Sequence, residues 1–316
     1  MKNLNDIFNV DTSKGNNSQL EIARKRLMDG DSGSAYEHLM DLLYDELYEL
    51  PVYDGPPMNL YRFAKLVVLN KGTDNECKPI TNDIKKNCLT FGDPNNFNDP
   101  MDPILREWLN LRKKQIHSSI DIKLLNTLSN CINNLRICCL SKNDSKRDDI
   151  FLNPLMWSHY ADSHKGICIQ YQITKDTLTA YNNDEQILKI GSVKYRDRKV
   201  MSNYITLDNA LLAKGKCWDY EQEERLIYYC KNNSRTTRQD NKQNNGYISL
   251  DNFIITAIYL GYRISPDDKR EIIEAVKGRN IVIYQVKFDK NDITKLKAIK
   301  IYYFLFNTGV YDRINN

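Results

Sequence analysis

Residues 155–166, LMWSHYADSHKG, gather Trp157, His159, Tyr160, Asp162 and His164, in a chain that holds only four histidines and three tryptophans. Such a cluster could form a reactive pocket. Pro154 suits a helix start and Lys165-Gly166 suits its end. On that helix Trp157, Tyr160, Ala161 and His164 fall at i, i+3, i+4 and i+7 and share a face, with His159 on another. A packing account competes: aromatic residues at helical spacing anchor cores, and His164 is then a satisfied polar residue at the rim. The spacing alone leaves both readings open.

A second constellation is WDYEQEERLIYY, residues 218–229. A strand beginning near Tyr220 points Glu221, Glu223 and Arg225 to one face and Leu226, Tyr228 and Cys230 to the other. Charged groups are costly to bury, so a solvated face is one reading. In a cleft, two such carboxylates hold a sugar hydroxyl and face a cationic transition state. LYRFAK (60–65) sets Arg62 in an apolar strand, either snorkelling to the edge or presented to an anion. In PNNFNDPMD (94–102), Asn98, Asp99 and Pro100 form a helix start, where Asp99-Pro100 is a good cap and where an anion also binds well. A hydrolase with His159 as general base near Asp99 or Asp162 is a further option, but no serine or cysteine stands in a nucleophile elbow.

These residues sit in a chain of 316, long enough for a sizeable core, with 41% hydrophobic and 27% charged residues. The net charge of +4 permits contact with nucleic acid without demanding it. The N-terminal stretch has no apolar signal region and no run is long enough for a membrane span, so a cytoplasmic protein without membrane contact is expected. Eight cysteines form no CxxC pair, which favours buried free thiols and offers no metal-ligand spacing.

Residues 1–17 are polar and Asn-rich and read as disordered. Capping boxes at Ser18–Glu21 and Ser34–Glu37 open two amphipathic helices, a hairpin appendage over 18–57 that ends at PVYDGPP. From 58 to 316 the chain reads as one α+β domain. Its β-type runs are LYRFA, CLTFG, LRICCLS, GICIQYQI, IGSVKY, RLIYYC, IITAIYLG, IVIYQVKF and LKAIKIYYFLF. Helical stretches are expected near 100–130, 151–164, 204–216 and 265–278, and an exposed mobile loop over 231–246. Without regular strand–helix alternation or a Gly-rich phosphate loop, a mixed, largely antiparallel sheet with peripheral helices is the better reading.

In order, LYRF, FNDPMD, CCLSKN…LMWSHYADSHKGICIQY, WDYEQEERLI and IYLGYRIS resemble a widespread bacterial family of unknown function. Its signatures are WSHYAxxHKG and a downstream YExExR strand, and the likeness spans about residues 58–290. It implies a cytosolic protein with a place in defence against phage, and supplies no reaction. A looser likeness does. An arginine on the first strand, a central aromatic–histidine segment and a later Glu-x-Glu at a strand start are similar to NAD-dependent ADP-ribosyltransferases, although no Ser-Thr-Ser strand of one transferase class is present. That resemblance implies a split β core gripping NAD as co-substrate. Arg62 would contact phosphate or ribose, and Trp157 or Tyr160 would stack near nicotinamide, with Tyr61, His159 and His164 as further cofactor contacts. Glu223 would bond the ribose hydroxyl and Glu221 would orient a nucleic-acid or protein acceptor, beside Asn98, Asp99 and Arg225. The resemblance makes the chain a toxin or anti-phage effector. The competing class is a non-catalytic nucleic-acid-binding or sensor module using RKR (24–26) and KYRDRK (194–199), with the hairpin free for a protein partner.

Overall fold

A computed structural model of the chain describes residues 16–69, 76–77, 79–97, 99, 102, 118–197, 207–231 and 248–302. The loop expected over 231–246, all but Lys231, and most of the disordered N-terminus expected over 1–17 lie outside the described residues. Asn16 and Asn17 already belong to the first helix.

In chain order the strands are β1 (Met58–Ala64), β2 (Val68–Leu69), β3 (Glu76–Cys77), β4 (Leu89–Phe91), β5 (Leu135–Lys142), β6 (Ile167–Ile173), β7 (Gln186–Ser192), β8 (Lys194–Arg196), β9 (Ala213–Gly215), β10 (Glu223–Cys230), β11 (Ile248–Leu250), β12 (Ile254–Leu260), β13 (Val282–Phe288) and β14 (Leu296–Tyr302). The helices are α1 (Asn16–Met28), α2 (Ser32–Tyr48), α3 (Pro79–Lys86), α4 (Ser119–Ile132), α5 (Pro154–Tyr160), α6 (Lys175–Thr179), α7 (Leu207–Leu212) and α8 (Pro266–Ala275). Eight strands form one mixed sheet in the order β14-β13-β12-β6-β1-β5-β10-β7. Every pair in it is antiparallel except β12 with β13. The fold is α+β.

Alternation along the strands sends side chains to two layers. Leu226, Tyr228 and Cys230 join Ile169, Tyr171 and Ile258 on one face in a continuous core. The opposite face carries two separate clusters. One holds Tyr61, Trp157 and Tyr259; the other holds Leu135, Ile187, Ile227 and Tyr229 under the helices.

The hairpin helices pack against the sheet and α4. Leu39, Leu43 and Leu47 of α2 are fully enclosed with Leu124 and Leu128 of α4 and with Tyr229 of β10. An apolar stripe of this width needs a partner surface, and the sheet supplies it. Asp31 caps α2 by accepting from the Ser34 amide at 3.0 Å, in place of the expected Ser34 cap. At the far end the buried Lys189 ammonium donates to the carbonyls of Tyr48 and Leu50 at 2.8 and 3.0 Å. Among the described residues no helix is long and apolar enough to cross a membrane.

Candidate active site

The sheet parts in the middle. β1 runs alongside β6 from Met58 to Ala64, but it meets β5 only at Leu60–Lys142 and Tyr61–Ser141. Beyond those two rungs a cavity of about 290 Å³ opens between the strands, lined by Arg62 and Phe63 from one side and Ile137 to Leu140 from the other. Its lining draws on both faces of the sheet: Cys138 and Leu140 belong to the continuous core, Tyr61 and Met156 to one cluster of the opposite face and Ile137 to the other.

Its floor is made by the junction before β10. A 3-10 turn spans Lys216–Glu221, and Gln222 is left-handed at φ 48°. The strand therefore starts at Glu223, not near Tyr220. Glu221 and Glu223 sit on opposite sides of a reversal, and that reversal lets both carboxyls line the cavity. Lys214, on β9, joins them: its ammonium lies 2.5 Å from Glu221 Oε2, 3.0 Å from Glu223 Oε2 and 3.2 Å from Asp102 Oδ2. Tyr160 Oη donates to Glu221 Oε1. Arg225 Nε donates to Glu223 Oε1 at 2.8 Å, and Tyr195 Oη accepts from the Glu223 amide at 2.8 Å.

The environment separates the two glutamates. Burial pushes the Glu221 carboxyl above its ordinary 4.5, against the pull of Lys214. Burial acts on Glu223 in the same sense, but Arg225 and Lys214 outweigh it and hold that carboxyl at about 2. Burial also opposes the charge of Lys214, yet Glu223, Asp102 and Glu221 together raise its pKa, so the ammonium stays charged. Tyr160 is raised by burial and then by Glu221, which keeps its hydroxyl a donor.

At the other end, Arg62 Nη1 stands 3.5 Å from Asp83, whose carboxylate also accepts from Thr90 at 2.5 Å and from Ser249 at 3.5 Å. Asp83 is thereby shared, and its carboxylate holds one arm of the Arg62 guanidinium at the cavity wall.

Of the residues singled out from the sequence, Tyr61, Arg62, Asp99, Tyr160, Glu221 and Glu223 line this cavity. Asn98 lies outside the described residues. Arg225 does not reach the cavity; fully buried, it supports Glu223 from behind. Trp157 is 0% exposed, packs edge-on to Phe63 and donates from Nε1 to the Phe151 carbonyl at 2.8 Å, so it is a core anchor. His159 is exposed and hydrogen-bonds the Tyr220 hydroxyl at 2.9 Å through Nδ1. His164 is not on the helix face. α5 stops at Tyr160, and Asp162, Ser163 and His164 all take positive φ, 48°, 52° and 70°. The turn brings the His164 ring into a stack on Trp157 with ring centres 6.2 Å apart. Burial lowers its pKa, followed by Arg263, so a neutral imidazole fills this corner.

Lys214, Asp102, Asp83 and Trp218 were not legible as site residues. Lys214 carries one faint signal, a lysine inside the apolar run NALLAKG. Cys139 opens into the cavity beside Glu223, where desolvation and then the Glu223 carboxylate raise its thiol pKa. Among the described residues no cluster of three or more histidine, cysteine or acidic side chains is arranged to hold a metal ion. Comparison of the chain with protein-family models, with curated proteins and with solved structures finds no match.

Proposed function

We propose that the chain is an ADP-ribosyltransferase-like enzyme that consumes NAD in the cytoplasm. It transfers the ADP-ribosyl group to a nucleic-acid or protein acceptor, as a bacterial toxin or anti-phage effector does. One observation carries the reading: Arg62 and the distant pair Glu221 and Glu223 line a single cavity opened by the parting of β1 and β5. At about 290 Å³ it stands at the low end of small-molecule pockets, roughly 300–1,000 Å³, and suits the nicotinamide-ribosyl end of a dinucleotide.

The carboxyls divide the work. The bond between ribose C1′ and the nicotinamide nitrogen breaks, its electron pair leaves with nicotinamide, and positive charge develops on the sugar. Glu223, ionised at any physiological pH, faces that charge. The acceptor's lone pair then attacks C1′, and its proton passes to Glu221, whose raised pKa makes it the better base. Arg62 anchors a phosphate, and Trp218 and Tyr160 replace Trp157 as the aromatic neighbours of the ring.

Incubation with NAD labelled in the nicotinamide ring tests the reading. Wild-type protein with acceptor releases free nicotinamide, and Glu223→Gln releases none above background. Undiminished release from that variant rejects the assignment, and salt-sensitive nucleic-acid binding without NAD turnover would favour the binding-module alternative.

A further inference from the structure

We propose that Lys214 is the positioning residue of this cavity: its ammonium, clasped between Glu221, Glu223 and Asp102, sets the spacing of the two glutamates and keeps their roles distinct. The inference rests on the reading of Glu221 and Glu223 as the working pair.

Lys214 touches both glutamates, whereas Arg225 donates to Glu223, Asp102 and a backbone carbonyl and makes no hydrogen bond to Glu221. An ammonium has three protons, and here three carboxylates stand within 3.2 Å of it. It is buried, its strand is pinned by parallel pairing of β9 with β8, and its charge lies 5.4 Å from the Trp218 ring centre at the cavity. Two carboxylates this close repel each other, and a shared cation is what allows both to face one hollow. Because Glu223 is also held by Arg225 and Glu221 is not, the shared cation leaves the two unequal. The other groups facing Lys214 do not blur the picture. Tyr160, Tyr195 and Tyr220 are all raised by burial and remain protonated.

The test reads the carboxyls directly. In protein carrying 13C-labelled glutamate side chains, Lys214→Met moves the titrations of both Glu221 and Glu223 to higher pH, and Lys214→Arg returns them toward the wild-type positions. Nicotinamide release by Lys214→Met falls roughly 100-fold, with the acid limb of its pH–rate profile displaced upward. Unmoved titrations in a folded Lys214→Met overturn the proposal. If that variant does not fold, Glu223→Gln carries the test. The Glu221 titration then moves to lower pH, because a repelling charge is gone and Lys214 is shared with Asp102 alone; an unmoved Glu221 overturns the proposal. The carboxyl titrations need no substrate. Shifted titrations in a protein that never releases nicotinamide discard the NAD reading and keep the role of Lys214, and turnover with unshifted titrations does the reverse.

Discussion

Arg225 and Asp102, 123 positions apart in the chain, meet in a buried ion pair in which Nη2 donates to both carboxylate oxygens at 2.6 and 2.7 Å. The same guanidinium reaches Glu223 and the Leu211 carbonyl, so three groups from separate parts of the chain converge on one side chain with no exposed surface. Removing one partner of such a pair leaves an uncompensated buried charge. Arg225→Leu is expected to cost about 3–5 kcal/mol and to lower the melting temperature by on the order of 10 °C. A calorimetric melt within about 2 °C of wild type would show that the pair is not structural in this way.

Glu223 links stability to pH. Its folded carboxyl, held down at about 2 by Arg225 and Lys214 against burial, lies below the ordinary 4.5. The stabilisation is therefore fully present above pH 4.5 and is lost as pH falls toward 2. Glu221 acts in the opposite sense, since a raised carboxyl pKa makes stability fall as pH rises above 4.5. Denaturant melts between pH 2 and pH 5 should show a steep acid loss in wild type and a shallower one in Glu223→Gln. Parallel curves would contradict the assignment of that carboxylate.

Much of the fold could be read from local pattern. The runs LRICCLS, GICIQYQI, IITAIYLG and IVIYQVKF became β5, β6, β12 and β13 within a residue or so, because a short run rich in Ile, Val, Tyr and Phe is a local signal that needs no knowledge of its partners. The hairpin helices were equally clear. Their docking was not, since an amphipathic stripe says that a partner exists without saying which. The site suffered the same limit more severely. Arg62, Glu221 and Glu223 could be suspected as charged residues within or beside apolar strand runs, but Asp102 and Lys214 look ordinary until Arg225 and Glu223 stand beside them. Gln222 hid the reversal, because nothing in EQE marks a left-handed residue. The Asp162–His164 turn hid for the same reason: three successive positive φ values without a glycine or asparagine read as a continuing helix.

The HKG end of the aromatic segment is a packing requirement, and glycine shows it. A Cβ on Gly166 would lie 2.1 Å from the Ala64 carbonyl oxygen of β1, and one on Gly261 would lie 2.2 Å from the His164 carbonyl oxygen. Both obstacles are backbone, which cannot rotate aside. Gly166→Ala is expected to cost about 3 kcal/mol, the upper end for an overpacked site, and to loosen β1 from β6 beside the cavity wall. Amide exchange across Phe63 and Ala64 would report it, and unchanged protection there would count against so tight a contact.

Lys189 offers a control far from the cavity. Its ammonium is buried at 3% exposure and satisfies two carbonyls at the end of α2. Lys189→Met keeps the length of the stem and removes both donors, leaving two acceptors without them. The expected loss is about 1–3 kcal/mol by urea denaturation, with nicotinamide release unchanged in the folded fraction. A variant as stable as wild type would mean that water takes over the cap.

Trp218 provides an optical reading of the cavity. It lines the hollow near Lys214, and its ring centre lies 6.1 Å from that of Tyr220, whereas Trp157 is sealed in the core. A ligand that stacks at the floor changes the surroundings of Trp218 and leaves those of Trp157 alone. Titration with a non-hydrolysable NAD analogue is therefore expected to quench part of the tryptophan emission in wild type. The quench should be absent in Trp218→Phe and intact in Trp157→Phe, if that variant folds; loss of the core indole is expected to cost about 3 kcal/mol or more. Quenching that survives in Trp218→Phe would place the ligand elsewhere, and the cavity between β1 and β5 would lose its claim to be the binding site.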